Sequence, residues 1–569
     1  MVNRNAARLL NKLEQARMQI GTINERGIVR LLSTAGRATF AKDAKSLIRF
    51  HDLLLFFRAF PPGRNVLRQA ERLLKTFELR VKAVQAGGGD VEDFAPEEVV
   101  GIAGTVVEAT FSYPMVCWLV QHHTKSISIQ WDDYERETQR AVIWPRFFPL
   151  MEEDSLTEAN VPYLDWLKAA RGRHDELPWL IRQFQRLSIS EKEKAALYDS
   201  LEIMVRWDMS GSRASRTLSR KVVKDFYFHR EPLIQRRQVS LAEEFVKPRL
   251  PIKVLSSREA EKTLDLVKEA TGVRYRELYG TANADPEWVA QAEPGRGVEI
   301  YFWGLPPEKR LPLRAYLAGF TVKNGVPINY VECISLFDWT EIGFNTFPAY
   351  RDGETAWIYA QTLRLLRQLH GTNAISVYPY QIGDGNEEAI ASGAFWFYRK
   401  MGFRSMDPAL EKLAQAEEKK VQANPKYRTS AATLRRLSKA NVVYELPEAQ
   451  PGAWDRFSMR NIGFAVQRRM ARDFDGDAQA IRKAAVERLA RIIQVEIQKL
   501  KPQAQIAFAD FATALSLVPD LGRWSPDDKD ALREIIAAKA GRTELRYQSM
   551  LQKHRRLRAA ILRLGSQKL

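Results

Sequence analysis

The chain has 569 residues, of which 45% are hydrophobic and 27% are charged. This length exceeds what one hydrophobic core holds, so we predict two to four domains, and the even spread of apolar residues excludes a largely disordered protein. The formal net charge of +18 favours anionic partners, with a basic solvated surface as the alternative. The two cysteines, Cys117 and Cys333, have neither disulfide nor zinc-ligand spacing, so we predict no metal site and a cytoplasmic location.

Residues 1–250 have mostly helical patterns. Apolar side chains recur at helical spacing in residues 65–86, which predicts an amphipathic helix. The apolar stretch 101–120 has the length of a membrane span, but Glu108 lies near its middle, where a charge is costly in a bilayer. We therefore predict a buried helix at 101–120 and no membrane span.

Four cations of this region are spaced to lie on one helical face. They recur at i, i+3, i+7 and i+11 and are Arg213, Arg216, Arg220 and Lys224. Such a stripe suits a phosphate backbone, so nucleic acid is a candidate partner. A solvated helix face is the alternative interpretation, because no recognised nucleic-acid motif accompanies the cations.

Residues 251–410 change to a mixed pattern of strands and helices. Asn324 and Gly325 separate two alternating runs and predict a tight hairpin, because both residues tolerate positive φ. This order of elements predicts a mixed sheet. The predicted elements are strands at 250–255, 298–303, 315–322, 326–336, 341–347 and 374–378, and helices at 258–271, 354–370 and 387–401.

Residues 411–569 return to helical patterns and end in a strongly basic helix. The stretch 477–501 has apolar residues near one face and is followed by Pro502, which predicts the end of that helix. The predicted fold class is therefore α+β. It consists of a mixed α/β domain at 251–410 between mostly α-helical regions at 1–250 and 411–569.

Two phrases of the central domain carry a family resemblance. Residues 340–357 read TEIGFNTFPAYRDGETAW, and residues 393–404 read GAFWFYRKMGFR. A strand, turn and helix followed by Phe-Tyr-x-x-x-Gly-Phe resemble the GNAT superfamily of N-acyltransferases, over about a quarter of the chain. The resemblance implies an enzyme that transfers an acyl group from acetyl-CoA, or another acyl-CoA, to an amine.

The resemblance also implies a phosphate-binding turn, where backbone N–H groups and the helix dipole hold the CoA pyrophosphate. The family pattern is Arg/Gln-x-x-Gly-x-Gly/Ala. Glu354 stands where the family has a glycine, and its carboxylate would repel a phosphate. Either the turn is shifted by one residue and Glu354 points away, or the phosphate site is lost. The residues of this turn are Arg351, Asp352, Gly353, Glu354, Thr355 and Ala356.

Two residues acquire catalytic roles from the same resemblance. Tyr398 occupies the position of the general acid that protonates the leaving CoA thiolate, with packing of the helix on the sheet as the alternative. Glu341, on the strand before the turn, is the candidate general base, and Glu332 is the reserve candidate. A carboxylate facing solvent is the alternative interpretation for Glu341.

Two further hypotheses follow from the altered turn and the large helical flanks. The central domain is a catalytically degenerate scaffold whose flanks bind a protein or a nucleic acid, or the protein is an aminoacyl-tRNA-dependent transferase. The second would use the positive charge and tolerate loss of the CoA turn, and it predicts salt-sensitive binding of tRNA.

Overall fold

The computed structural model describes residues 2–22, 24–40, 43–90, 92–132, 134, 137–149, 151, 163–424 and 426–567. Within these segments the protein combines many helices with two β-sheets, which agrees with the predicted α+β class. The strands are β1 (Val106–Thr110), β2 (Ile127–Gln130), β3 (Met204–Asp208), β4 (Ile252–Val254), β5 (Val289–Gly295), β6 (Val298–Trp303), β7 (Ala315–Lys323), β8 (Val326–Leu336), β9 (Trp339–Thr346), β10 (Ala374–Val377), β11 (Arg404–Ser405) and β12 (Val442–Glu445).

The helices of the described segments cover both ends of the chain and both sides of the larger sheet. They are α1 (Val2–Met18), α2 (Glu25–Arg37), α3 (Ala44–Ala59), α4 (Arg64–Lys75), α5 (Phe77–Ala86), α6 (Tyr113–His123), α7 (Glu137–Ile143), α8 (Tyr163–Arg171), α9 (Glu176–Arg186), α10 (Glu191–Ser200), α11 (Leu241–Val246), α12 (Ser257–Gly272), α13 (Tyr279–Ala282), α14 (Thr355–His370), α15 (Pro379–Ile382), α16 (Glu387–Ser392), α17 (Ala394–Arg399), α18 (Pro408–Ala423), α19 (Ala431–Leu437), α20 (Met459–Asp473), α21 (Ala478–Ile493), α22 (Pro502–Leu515), α23 (Pro526–Lys539), α24 (Glu544–Lys553) and α25 (Arg555–Gly565).

The larger sheet has the strand order β11-β12-β10-β9-β8-β7-β6-β5-β4 among the described residues. Neighbours from β4 to β9 are antiparallel, and β9 pairs with β10 in parallel through the crossover helix α14. The predicted hairpin is confirmed, because Asn324 and Gly325 both have positive φ between β7 and β8. Strand β12 lies between β10 and β11, so the sheet includes a strand from beyond residue 410.

The N-terminal region contains a second, smaller sheet. Strands β1 and β2 pair antiparallel with β3, so the predicted single helix at 101–120 is wrong. The stretch instead contains β1, whose Val-Val and Thr residues favour a strand, and then α6, which begins beside Pro114. No helix in the described segments is long and apolar enough to cross a membrane.

One hydrophobic core joins the N-terminal helices to the larger sheet. Buried side chains of α1–α5, such as Leu54 and Phe56, belong to the same cluster as Phe302 of β6 and Leu363 of α14. A second cluster places helices α20–α25 against the sheet around Trp339. The sheet therefore carries helical layers from both ends of the chain, and each layer contributes to the surroundings of α14.

A buried ion cluster fixes the start of α14. The Glu354 carboxylate lies 3.1 Å from the Arg296 Nε and 3.5 Å from the Lys323 Nζ, and it also accepts the backbone N–H of Ile234 at 3.1 Å. The carboxylate and the ammonium of this cluster are both fully buried. The Lys323 ammonium lies over the rings of Phe60 and Tyr227. The cluster therefore joins α14, the β5–β6 turn, the end of β7 and the N-terminal region.

We expect Glu354→Gln to destabilise the protein by about 3–5 kcal/mol, because it leaves the fully buried Lys323 and the partly buried Arg296 without their counter-charge. Urea unfolding followed by circular dichroism measures this loss. Glu387→Gln is the matched control: Glu387 pairs with Arg435 on an exposed surface, and we expect no resolvable change. Equal stability of Glu354→Gln and the control would contradict an ionised buried cluster.

Candidate active site

The parallel strand pair β9 and β10 opens part of the way along its length. Strand β9 pairs with β8 as far as Thr346, but it pairs with β10 only from Trp339 to Glu341. Strand β10 ends at Val377, and the chain then turns into α15. Among the described residues, 342–346 of β9 therefore have no strand neighbour on that side, and a gap opens at the carboxyl end of the pair. Ligands of open α/β sheets commonly bind at such an end.

A cavity of about 440 Å3 lies in this gap, and we call it the Tyr398 cavity. It is bounded by the end of β9, the start of α14 and the helices α15–α17. Its volume falls in the range of small-molecule sites. Its lining residues are Phe344, Asn345, Thr346, Arg351, Asp352, Thr355, Gln381, Asn386, Glu388, Ala389, Ser392, Ala394, Phe397 and Tyr398.

The start of α14 presents free backbone N–H groups beside this cavity. The first backbone hydrogen bond of the helix runs from Ile358 N–H to the Glu354 carbonyl. Among the described residues, the N–H groups of Thr355, Ala356 and Trp357 have no acceptor. Such a helix terminus carries partial positive charge and attracts an anion.

The predicted turn is divided between the cavity and the core. Arg351, Asp352 and Thr355 line the Tyr398 cavity, whereas Glu354 points into its buried ion cluster and away from the cavity. Gly353 packs on the N-terminal region, where an added Cβ would come within 2.5 Å of the Phe60 ring. Of the two readings of Glu354, the structure agrees with the one in which the side chain points away.

Both charged residues at the mouth of the cavity are already paired. The Arg351 guanidinium donates to the Glu388 carboxylate at 2.6 Å and to the Thr346 carbonyl at 3.3 Å. The Asp352 carboxylate pairs with Arg17 of α1. An entering anion would therefore compete with Glu388 for Arg351.

Tyr398 is buried, and its hydroxyl has no hydrogen-bond partner in the described part of the protein. The side chain lines the cavity and packs edge-on against Tyr359 of α14, with ring centroids 5.8 Å apart. Burial raises the pKa of the Tyr398 hydroxyl, so the phenol keeps its proton at neutral pH. An unpaired buried hydroxyl is costly, so the Tyr398 hydroxyl is a candidate donor to a ligand atom.

The two candidate bases lie away from the Tyr398 cavity. Glu341 lines neither this cavity nor the one described below, and its carboxylate accepts from Asn441 Nδ2 at 3.2 Å. Burial raises the pKa of Glu341, and Arg314 partly opposes that shift. Glu332 lines neither cavity and accepts from the Tyr316 hydroxyl. The sequence placed these carboxylates on the correct strands but could not show that neither of them lines either cavity.

A second cavity, of about 270 Å3, lies on the other face of the sheet, and we call it the arginine cavity. Phe344 of β9 packs on Tyr359 of α14, so the next residue, Asn345, faces away from α14. Tyr330 is its register partner on β8 and faces the same way. The lining residues of this cavity are Glu97, Glu98, Arg216, Arg274, Arg276, Tyr330, Asn345, Thr346, Phe347, Pro348, Arg351, Tyr380, Gln381, Gly385, Asn386, Glu387 and Glu388.

The two cavities meet at the gap between β9 and β10. The Gln381 Nε2 atom lies 3.5 Å from the position that a Cβ on Gly343 would occupy. The Gln381 side chain therefore lies across the opening between the two strands. Sequence reasoning missed these junction residues, since no motif marks them. The residues that line both cavities are Asn345, Thr346, Arg351, Gln381, Asn386 and Glu388.

The predicted basic helix face does not exist. Residues 209–235 form turns and extended segments, because they connect β3 to the sheet across the N-terminal core. Arg213 and Lys224 are exposed, Arg220 pairs with Glu71, and Arg216 is buried in the arginine cavity. The four cations therefore do not form a single stripe for a nucleic acid.

Comparison of the chain with protein-family models, with curated proteins and with solved structures found no match. The geometry of the two cavities is therefore the basis for a functional interpretation.

Proposed function

We propose that the protein is an N-acyltransferase of the GNAT type, which transfers an acyl group from an acyl-CoA to an amine. One observation carries the proposal: Tyr398, whose hydroxyl has no partner among the described residues, and Thr355, whose backbone N–H is free at the start of α14, line the same cavity in the gap of an opened parallel strand pair. The cavity offers a proton donor for the thiolate that leaves an acyl-CoA thioester. At its edge it offers an anion site for the pyrophosphate of the same molecule.

The start of α14 is the proposed contact for the CoA phosphates. The Thr355 N–H group and its neighbours along α14 donate, and Arg351 supplies a cation once it leaves Glu388. Glu354 does not oppose this binding, because its charge is compensated by Arg296 and Lys323 on the other side of the turn. The altered family pattern is thus compatible with a phosphate at this position.

Tyr398 is the proposed general acid. The amine nitrogen attacks the thioester carbon, the C–S bond breaks, and the Tyr398 O–H donates its proton to the departing thiolate. The phenolate then takes up a proton, and the amide product carries one proton fewer than the attacking amine. The hydroxyl has no partner in the segments that the structure describes, so no hydrogen bond within them has to break before it donates to the sulfur.

Glu388 replaces Glu341 as the proposed proton acceptor for the amine. It lines both cavities, whereas Glu341 lines neither. It pairs with Arg351, and release of Arg351 to the CoA phosphates would free its carboxylate for the amine. The same ion pair also favours the alternative of a catalytically degenerate scaffold, because it fills the mouth of the cavity.

Calorimetric titration of the purified chain with acetyl-CoA and with a longer acyl-CoA tests the proposal first. We expect micromolar affinity for at least one, which corresponds to about −8 kcal/mol. Free adenosine 3′,5′-bisphosphate is the control for contacts to the nucleotide alone. Absence of heat with both acyl-CoA compounds would contradict the proposal and favour the scaffold.

Tyr398→Phe should lower turnover by about 10²–10⁴-fold while acyl-CoA affinity changes little, because the substitution removes only the proton donor. Release of free CoA thiol, measured with a colorimetric thiol reagent and an amine panel, reports turnover. Tyr359→Phe is the matched control, since Tyr359 is also buried with an unpartnered hydroxyl but does not line the cavity. Equal turnover of Tyr398→Phe and wild type would remove Tyr398 from the mechanism.

Glu388→Gln should tighten binding of acetyl-CoA about threefold, because it removes a partly exposed competitor for Arg351. Arg351→Gln should weaken it, and the same calorimetric titration measures both. Glu387→Gln is the control, because this neighbouring residue pairs with Arg435 and does not line the Tyr398 cavity. Weaker binding by Glu388→Gln would show that the CoA phosphates do not reach Arg351.

A further inference from the structure

The arginine cavity has buried cations in its wall that form no ion pair among the described residues. Arg216 and Arg274 line it, and each is only 4% exposed. Arg58 is 2% exposed, and all three arginines lie close enough to Tyr350 to interact with it electrostatically. None of these three side chains forms an ion pair with a carboxylate in the described part of the chain, although buried arginines usually do.

Backbone carbonyl oxygens accept one of the N–H donors of the Arg216 guanidinium and one of the Arg274 guanidinium. Arg216 Nη1 donates to the Glu98 carbonyl at 2.6 Å, and Arg274 Nη1 donates to the Ala270 carbonyl at 2.5 Å. The Arg274 guanidinium also lies 4.2 Å from the Phe347 ring centre. The Nε atoms of Arg216 and Arg274 are buried without a partner. Donors therefore remain for a ligand at the wall of the cavity.

The electrostatics of this wall favour an anion. Burial, together with the nearby Arg216 and Arg58, lowers the pKa of Arg274 to about 9, whereas Tyr350 and Asp52 oppose the shift. Like charges held together away from water raise the free energy of the folded protein unless an anion joins them. A carboxylate or phosphate oxygen fits this role, because the guanidinium group donates to both.

The other side of the cavity is acidic. Its carboxylates are those of Glu97, Glu98, Glu387 and Glu388. Glu97 pairs with Arg276, and Glu387 pairs with Arg435 outside the cavity. Glu388 lies at the junction with the Tyr398 cavity, and Glu98 is exposed at the rim. A ligand that contacts both sides has a negative end and a positive end.

We propose that the arginine cavity binds a small zwitterionic amine, with its anionic group on Arg216 and Arg274 and its ammonium toward Glu388. The ammonium would then lie where the two cavities meet, beside the reacting thioester. The assignment rests on the proposed function in calling this molecule the acyl acceptor, but binding by the cavity does not depend on acyl transfer. An α-amino acid carries both charges, with a carboxylate as its anionic group, and phosphoethanolamine carries both with a phosphate instead.

The test compares zwitterions with matched amines that lack the negative charge. The panel contains the common α-amino acids, their α-carboxamides, phosphoethanolamine and ethanolamine, each with acetyl-CoA and the wild-type chain. Thiol release gives kcat/KM, and calorimetry without CoA gives binding alone. We expect at least one zwitterion to exceed its matched amine about 100-fold in kcat/KM, because an amine without the negative charge leaves the buried arginines unpaired. The amino-acid and phosphoethanolamine arms distinguish a carboxylate from a phosphate.

Arg216→Gln and Arg274→Gln should each remove most of this discrimination, and Arg216→Lys should restore part of it. Arg213→Gln is the control, because Arg213 is an exposed cation three residues away on the same segment. Should a glutamine variant fail to fold, the comparison of zwitterion and amide on the wild-type chain still decides. Equal use of amino acids and amides, or binding of neither, overturns the proposal. Zwitterion binding without acyl transfer would support the cavity and refute the proposed reaction.

Discussion

The buried Glu354 carboxylate is the interaction on which the rest of the structure depends. A carboxylate taken out of water is tolerated only with compensating charges and donors, and here Arg296, Lys323 and the Ile234 N–H group supply them. These partners come from the sheet and from the N-terminal region, so satisfying one charge brings distant parts of the chain together. The same contacts fix where α14 begins, and thereby which backbone N–H groups remain free at the Tyr398 cavity.

The helical N-terminal region takes part in the candidate site. Arg17 pairs with Asp352 at the mouth of the Tyr398 cavity, and Phe60 packs against Gly353 at the turn. Arg216 reaches the arginine cavity from a segment without helix or strand. One of the two arginines proposed to hold the anionic group of the acceptor thus comes from the N-terminal region. The N-terminal region therefore contributes side chains to the wall of the arginine cavity and to the mouth of the Tyr398 cavity, which the central sheet alone would leave more open.

Local patterns in the sequence predicted several elements correctly. Asn324-Gly325 predicted the hairpin of β7 and β8, and Gly371, with positive φ, ends α14 as expected. The predicted helix at 387–401 is instead two short helices, because Gly393 adopts positive φ between them. The error at 101–120 has a similar origin, since apolar residues there fit a strand followed by a helix as well as one helix.

The sequence by itself determined the fold class, most elements of the sheet and the position of Tyr398 on a helix after β10. Those features depend on neighbours a few residues apart, through turn geometry, capping and periodicity. The tertiary structure alone decided that the Glu354 side chain points away from the Tyr398 cavity. It also decided that Arg216 is buried and lines the arginine cavity, instead of belonging to an exposed stripe of cations. The direction of a charged side chain depends on partners dozens to hundreds of residues away, such as Arg296 for Glu354 and the Glu98 carbonyl for Arg216. No local pattern encodes those contacts.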